Sequence, residues 1–167
     1  MKVRMFVLLV TMVMLVGAFG GAAWATDARV TVESRSSFEQ TVDHLKSAVG
    51  QGGMMVMAEV DQGNMLSMTG LKLKAKLFLV GNPTVGKKLF EKDAGVGLYV
   101  PFRVFVTEGK NGKVSISYDK PSSLLEQFDD ADIRQAAAML DDDQAQVVAV
   151  NINETCTSEA RIVKAPA

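Results

Sequence analysis

The feature that most constrains this chain is the abrupt change of pattern at Gly81, Asn82 and Pro83, inside residues 76–99 (KLFLVGNPTVGKKLFEKDAGVGLY). An apolar run over 77–80 meets a glycine, then a residue that caps helices well. Next comes a proline, whose fixed φ and missing N–H suit the first helical position. Val85, Leu89 and the neighbouring Phe90 supply the buried side of the helix that follows, and Lys87, Lys88, Glu91 and Lys92 its polar side. Gly95 and Gly97 close it, and an apolar run resumes at 98. A strand that hands over directly to a helix and then returns requires a sheet with helices packed on it.

Upstream, Val30 and Val32 alternate with polar residues and predict a first strand over 29–33. Ser36 and Glu39 form a capping box, and Phe38, Val42, Leu45 and Val49 recur at helical spacing until Gly50, Gly52 and Gly53. His44, the single histidine, falls beside that stripe and reads as a surface residue. Residues 54–61 form a second strand by their period of two. Met54, Val56, Ala58 and Val60 are expected on one face, and Met55, Met57, Glu59 and Asp61 on the other. Residues 62–70 are a polar connection with a helical turn through Met65 and Met68. Lys72, Lys74 and Lys76 would share one side of an extended 71–80 and read as a solvated sheet edge.

Residues 98–108 form a long strand in which Pro101 demands a bend or an edge position. Asn111-Gly112 then turns the chain into a returning strand carrying Val114, Ile116 and Tyr118. An acidic-started helix over 129–140 presents Ile133, Ala136, Ala137 and Leu140 on one face. Residues 141–143 read as a solvated acidic patch, 147–152 as a short strand, and 153–167 as a loose tail. The expected architecture is α+β: a two-layer α/β sandwich with a mixed or antiparallel sheet and helices on one face. Its second face should also be apolar. Met54, Val56, Leu77, Leu79, Val104 and Val106 are assigned to one side, and Met55, Met57, Phe78, Val80 and Phe105 to the other. A homodimer through that face is expected.

Residues 1–25 have the form of a secretory signal peptide. Lys2 and Arg4 precede an uncharged run over 5–19, and Ala23-Trp24-Ala25 gives the small-x-small cleavage pattern. Cleavage after Ala25 would deliver a periplasmic or secreted protein, with one domain over 26–140 and a C-terminal extension over 141–167. Removing Lys2 and Arg4 from eighteen basic residues leaves sixteen against nineteen acidic ones, a net charge of −3. So small a charge disfavours nucleic-acid partners and, after cleavage, a membrane surface. The single cysteine, Cys156, excludes an internal disulfide and has no adjacent cation to activate it. Asn153-Glu154-Thr155 matches a glycosylation sequon.

Several of these segments together resemble one family. They are residues 36–50, the Gly-Asn-Pro at 81–83, VGLYVPFRVFVTE at 96–108, the Asn-Gly-Lys turn at 111–113 and residues 118–125. In this order they resemble the family called domain of unknown function 302, over residues 30–140. The resemblance implies a small two-layer α/β domain that dimerises, and implies no activity. Relatives carry an Asp-His pair after the second strand, where this chain has Asp61-Gln62; glutamine hydrogen-bonds but does not titrate near neutrality.

No Ser-His-Asp, Cys-His or paired-carboxylate arrangement is visible, so no catalytic residue, metal ligand or cofactor is assigned. The expected role is a non-catalytic small-ligand-binding or interaction module, with a pocket near Asn82 and the 62–70 connection. Asn82, Asp61, Gln62 and Lys87 are the candidate ligand contacts, since a helix N-terminus favours anions. One alternative is an enzyme acting on a small molecule with Glu59, Asp61 and Asn82. A second is Cu(I) binding by thioethers such as Met65 and Met68, soft ligands for a soft ion.

Overall fold

The computed structural model of the protein describes residues 28–153. Five strands form one sheet in the order β1-β5-β4-β3-β2: β1 Arg29–Ser34, β2 Met55–Asp61, β3 Ala75–Gly81, β4 Phe102–Glu108 and β5 Val114–Asp119. Every neighbouring pair is antiparallel. Five α-helices connect and cover them: α1 Phe38–Gln51, α2 Gln62–Ser67, α3 Pro83–Lys92, α4 Pro121–Leu125 and α5 Ala131–Asn153. A 3-10 turn, Ala94–Leu98, joins α3 to β4.

The helix starts follow local chemistry. The capping box of α1 uses Ser37 and Gln40, one residue later than Ser36 and Glu39. The Ser34–Ser36 turn accounts for the shift: the Ser36 amide donates to the Ser34 hydroxyl, leaving Ser37 at the cap. Asn82 caps α3 by accepting from the Thr84 and Val85 amides, with Pro83 at the first helical position. Its side-chain amide also donates to the Gly53 carbonyl, tying α3 to the exit of α1.

Register decides which side chains form the core. Phe78 lies opposite Val104, which lies opposite Tyr118, and Val106 lies opposite Ile116. These residues are buried with Val80 beneath Phe38, Val42, Leu45, Ala48 and Val49 of α1 and Val147 and Val148 of α5. A second cluster joins Leu89, Val96, Phe102, Leu125, Ile133, Ala137 and Leu140. Phe102 opposes Val80, so α3, α4 and α5 gather on the face that α1 covers.

The face assignments from sequence are corrected here. Phe78 and Val80 share the covered face with Val104 and Val106, whereas Leu77 and Leu79 lie with Phe105 on the open one. β2 contains a bulge between Val56 and Ala58. After it, Glu59 and Asp61 pair with Phe78 and Lys76 and share the covered side with Val56. Met55, opposite Gly81, and Ala58, opposite Leu79, take the open side. A bulge adds one unpaired residue and so reverses the alternation beyond it.

The C-terminal part also differs from expectation. Residues 141–149, expected as the start of an extension, continue α5, and 147–152 are helical rather than a strand. Leu140, Gln144, Val147 and Val148 recur at i, i+4, i+7 and i+8 and are all buried. Asp141 is anchored by the Ser122 amide and hydroxyl, at 2.9 and 2.5 Å, so the acidic run need not break the helix. The sequence-based assignments for residues 1–25, for Cys156 and for the rest of the tail beyond 153 fall outside the described residues.

Replacing Val147 and Val148 together by alanine should lower unfolding free energy by about 2–4 kcal/mol in urea titration, the usual cost of removing buried methyl groups. Met139→Ala, on the exposed side of the same helix, should change it by less than about 0.5 kcal/mol. A tail lying outside the core would show no difference between the two.

Candidate functional site

A cleft of about 530 Å3 lies at the sheet edge, between the outer flank of α1, the adjoining ends of β2 and β3, and α2. Its apolar walls are Phe38 and Val42 of α1 with Leu73 and Ala75. Glu39, Asp43 and Lys46 line it from α1, where spacings of four and three put them on one helix flank. Lys74 and Lys76 line the opposite side, two residues apart on the extended chain. Asp61, Gly63 and Asn64 close the end.

The charged groups around the cleft form two clusters of ion pairs. Glu59 binds Lys46 of α1 at 2.5 Å and Lys76 of β3 at 2.6 Å, and Lys76 also reaches Asp61 at 3.7 Å. Lys74 joins Glu39 at 3.1 Å and Glu108 at 3.4 Å. Both flanking lysines lie over aromatic rings, Lys74 at 5.9 Å from the centre of Phe38 and Lys46 at 5.7 Å from that of Phe78. The carboxyl of Glu59 is held below the ordinary glutamate value by hydrogen bonds from Lys46 and then Lys76. The hydrogen bond to Glu59 holds Lys76 above the ordinary lysine value. Near neutrality both therefore stay ionised.

Asp61 has two roles. Its carboxylate accepts the Asn64 amide at 2.8 Å, capping α2, and faces Lys76. Gly63 lets α2 sit close to the incoming strand: a Cβ there would lie 2.5 Å from the Leu73 carbonyl oxygen and 3.1 Å from the Ala75 nitrogen. This contact fixes one wall of the cleft.

The sequence-based candidates fall in two places. Asp61 lines the cleft; Gln62, half-buried at the start of α2, is adjacent but outside the lining. Asn82 lies beyond the other end of β3, six residues from Lys76 and so about 20 Å along the strand. A single pocket shared by Asn82 and the 62–70 connection therefore does not form. The Asn82 side chain is committed to capping and to Gly53. Lys87, on the exposed side of α3, pairs with Glu91 one turn on. Met65 and Met68 are 52% and 83% exposed and outside the cleft. Among the described residues no group of three His, Cys, Asp or Glu could hold a metal ion. Lys46, Asp43, Lys74, Asn64 and Gly63 were not singled out from sequence as ligand contacts. The signals that could have found them are the 39-43-46 flank and the 74-76 alternation.

An antiparallel five-stranded sheet under helices, with this edge cleft, defines a two-layer α+β domain. The chain belongs to the family described as domain of unknown function DUF302, whose profile matches residues 30–150. The crystal structure of an uncharacterised conserved DUF302 protein from Bacillus stearothermophilus superposes with a TM-score of 0.69. It covers 74% of this chain and 97% of its own at 22% identity, a likeness of fold. Two curated relatives, from Brucella suis biovar 1 (strain 1330) and Brucella abortus biovar 1 (strain 9-941), are named fluoride-specific ion channel FluC 1. Each is 34% identical over 98 residues, 58% of this chain. The match spans 39% of the first relative and 36% of the second. Among the described residues no helix is long and apolar enough to cross a membrane.

Two outcomes test the network and the wall. The folded-state pKa of Glu59 lies below its unfolded value. Its contribution to stability is therefore present above about pH 4.3 and lost as pH falls through the folded value. Lys76 is raised instead, so its contribution is present below about pH 10.4 and lost as pH rises through its folded value. Glu59→Gln should cost about 1 kcal/mol at pH 7 and flatten the fall of the urea midpoint between about pH 6 and pH 3. An unchanged acid limb would show that the pair is not coupled to folding. Gly63→Ala should cost about 2–4 kcal/mol, because its Cβ meets backbone that cannot rotate away. A melting temperature equal to that of the parent protein would contradict the close approach.

Proposed function

We propose that this protein is an exported, non-catalytic module that binds a small molecule in the cleft between α1, α2 and β3. The observation that carries this reading is the combination of apolar walls with a balanced polar lining. Half-buried Leu73 offers apolar surface, backed by the nearly buried Phe38, Val42 and Ala75, while Lys46, Lys74 and Lys76 each already have a carboxylate partner. Sites for small ligands are commonly concave, largely apolar and furnished with a few placed polar groups. Neutralised lysines give little attraction to a free anion. The fit is to a neutral or zwitterionic compound with an apolar body, hydrogen-bonding to Asn64 and the Asp43–Asp61 side. A halide, the ion named for the Brucella channels, has no uncompensated cation to meet here.

The non-catalytic reading rests on the same pairs. A general acid or base works best with a pKa near the operating pH. Glu59 is moved down and Lys76 up, each away from neutrality. Export rests on the leader pattern of residues 1–25.

Native mass spectrometry of the protein recovered from its own host tests both parts. The expected species begins at Thr26 and carries a non-covalent small molecule that is lost on denaturation. Asp43→Trp, at the exposed rim of the cleft, should remove the added mass and leave the melting temperature within about 2 °C. A chain beginning at Met1 would sink the export reading. An identical ligand load in Asp43→Trp would sink the assignment of the cleft.

A further inference from the structure

We propose that the cleft takes an amine-bearing zwitterion with a short apolar body, and that Asp43 is the residue that selects the amine. The proposal rests on the cleft being the binding site and adds the chemical class of its ligand. Six charged side chains line the cleft, Lys46, Lys74 and Lys76 against Glu39, Asp43 and Asp61. Five of them already stand in ion pairs. Lys46 and Lys76 hold Glu59, Lys76 also faces Asp61, and Lys74 joins Glu39 and Glu108. The sixth, Asp43, meets no cation among the described residues.

Asp43 is left over for a local reason. Lys46, three residues on, is its natural partner on the same flank of α1. The Lys46 ammonium turns instead to Glu59 at 2.5 Å and lies 5.7 Å from the centre of the Phe78 ring. Glu39, one turn earlier, is itself acidic and is drawn to Lys74 at 3.1 Å. Asp43, exposed on the helix, therefore keeps its full acceptor capacity at the cleft margin. Asp61 adds to it. One of its carboxylate oxygens accepts the Asn64 amide at 2.8 Å; the other is 3.7 Å from the Lys76 nitrogen, too long for a hydrogen bond. Two carboxylates with spare lone pairs thus border a cleft whose lysines are all taken.

A cationic nitrogen gains most from such groups, because its hydrogen bonds to a carboxylate are about twice as strong as neutral ones. The lining as a whole balances three positive groups with three negative ones, which favours a ligand of no net charge. The anionic end of that ligand belongs at Asn64. The Asn64 backbone amide is spent on Asp61 and its carbonyl accepts the Ser67 hydroxyl. Its side-chain amide donates to nothing among the described residues and has two N–H groups to offer. The apolar body rests against half-buried Leu73.

Four compounds sharing one side chain separate the charges: leucine, a zwitterion; leucinamide, a cation; N-acetylleucine, an anion; and N-acetylleucinamide, neutral. Titrated into isotopically labelled protein, leucine should shift the amide resonances of Asp43, Gly63 and Asn64 and saturate below about 10 mM. It should bind at least about tenfold more tightly than either N-acetyl compound, with leucinamide between. Asp43→Asn keeps the shape of the side chain, removes its charge and breaks no ion pair, so the fold should be unchanged while the advantage of leucine shrinks to about twofold or less. N-acetylleucinamide binding as tightly as leucine overturns the amine and leaves the cleft standing as a binding site. So does a native ligand that is lost from Asp43→Trp yet carries no basic nitrogen. A leucine preference undiminished in Asp43→Asn overturns the role of Asp43. Failure of the cleft itself looks different, and overturns the proposal with it: none of the four compounds shifts a cleft resonance, and protein from its own host carries no ligand.

Discussion

The extra residue in β2, between Val56 and Ala58, is the constraint on which the rest of the structure depends. Without it, Met55, Met57, Glu59 and Asp61 would share one face, as strict alternation requires. With it, Glu59 and Asp61 swing to the covered side, where Lys46 and Lys76 meet them. Ala58 and Val60 go to the open side instead, beside Met55 and Met57. Glu59 and Asp61 remain partly exposed there, and the bulge brings them within reach of Lys46 and Lys76. One backbone irregularity thus builds the cleft on one side of the sheet and an apolar surface on the other.

Much of the fold was legible because local chemistry declares it. Asn82-Pro83, the capping serines and the Asn111-Gly112 turn act over a few residues and leave few alternatives. What was not legible depends on long-range register. Residues 77–80 are apolar at every position, so nothing in that run says which alternate side chains face the helices; only pairing to β4 decides. The bulge has no glycine or proline to announce it. The end of the last helix was hidden by Asp141, Asp142 and Asp143, which look like a break, and by Gln144, a polar residue on the buried stripe. Asp141 bonds Ser122, nineteen residues earlier, a contact no local pattern reports.

The site shows the same division. Asp61 caps α2, which explains its residue type whether or not it also meets a ligand. Capping likewise explains the residue type of Asn82, and both ends of its amide are occupied. Lys76 and Glu59 are seventeen residues apart in sequence, and their meeting follows only from register. Pairing cancels the charge that composition would count as available, so three lysines around one cleft make a nearly neutral surface. Under the proposed function, recognition there would depend on shape and hydrogen bonding more than on field strength, and would be correspondingly insensitive to salt.

The two surfaces lie on opposite sides of the same strands, and this geometry decides how they can influence each other. The cleft lies at the outer edge beneath α1 and α2, and the open face lies on the far side of the same strands. Coupling between them must pass through β2 and β3, where Val60 and Leu77 on one face alternate with Glu59, Asp61 and Lys76 on the other. Any contact that stiffens β2 from the open side would hold Glu59 and Asp61 in place, lowering the ordering cost of a molecule in the cleft without changing the contacts it makes. Such coupling would fall if the bulge were removed, because the same backbone step sets the facing of both surfaces.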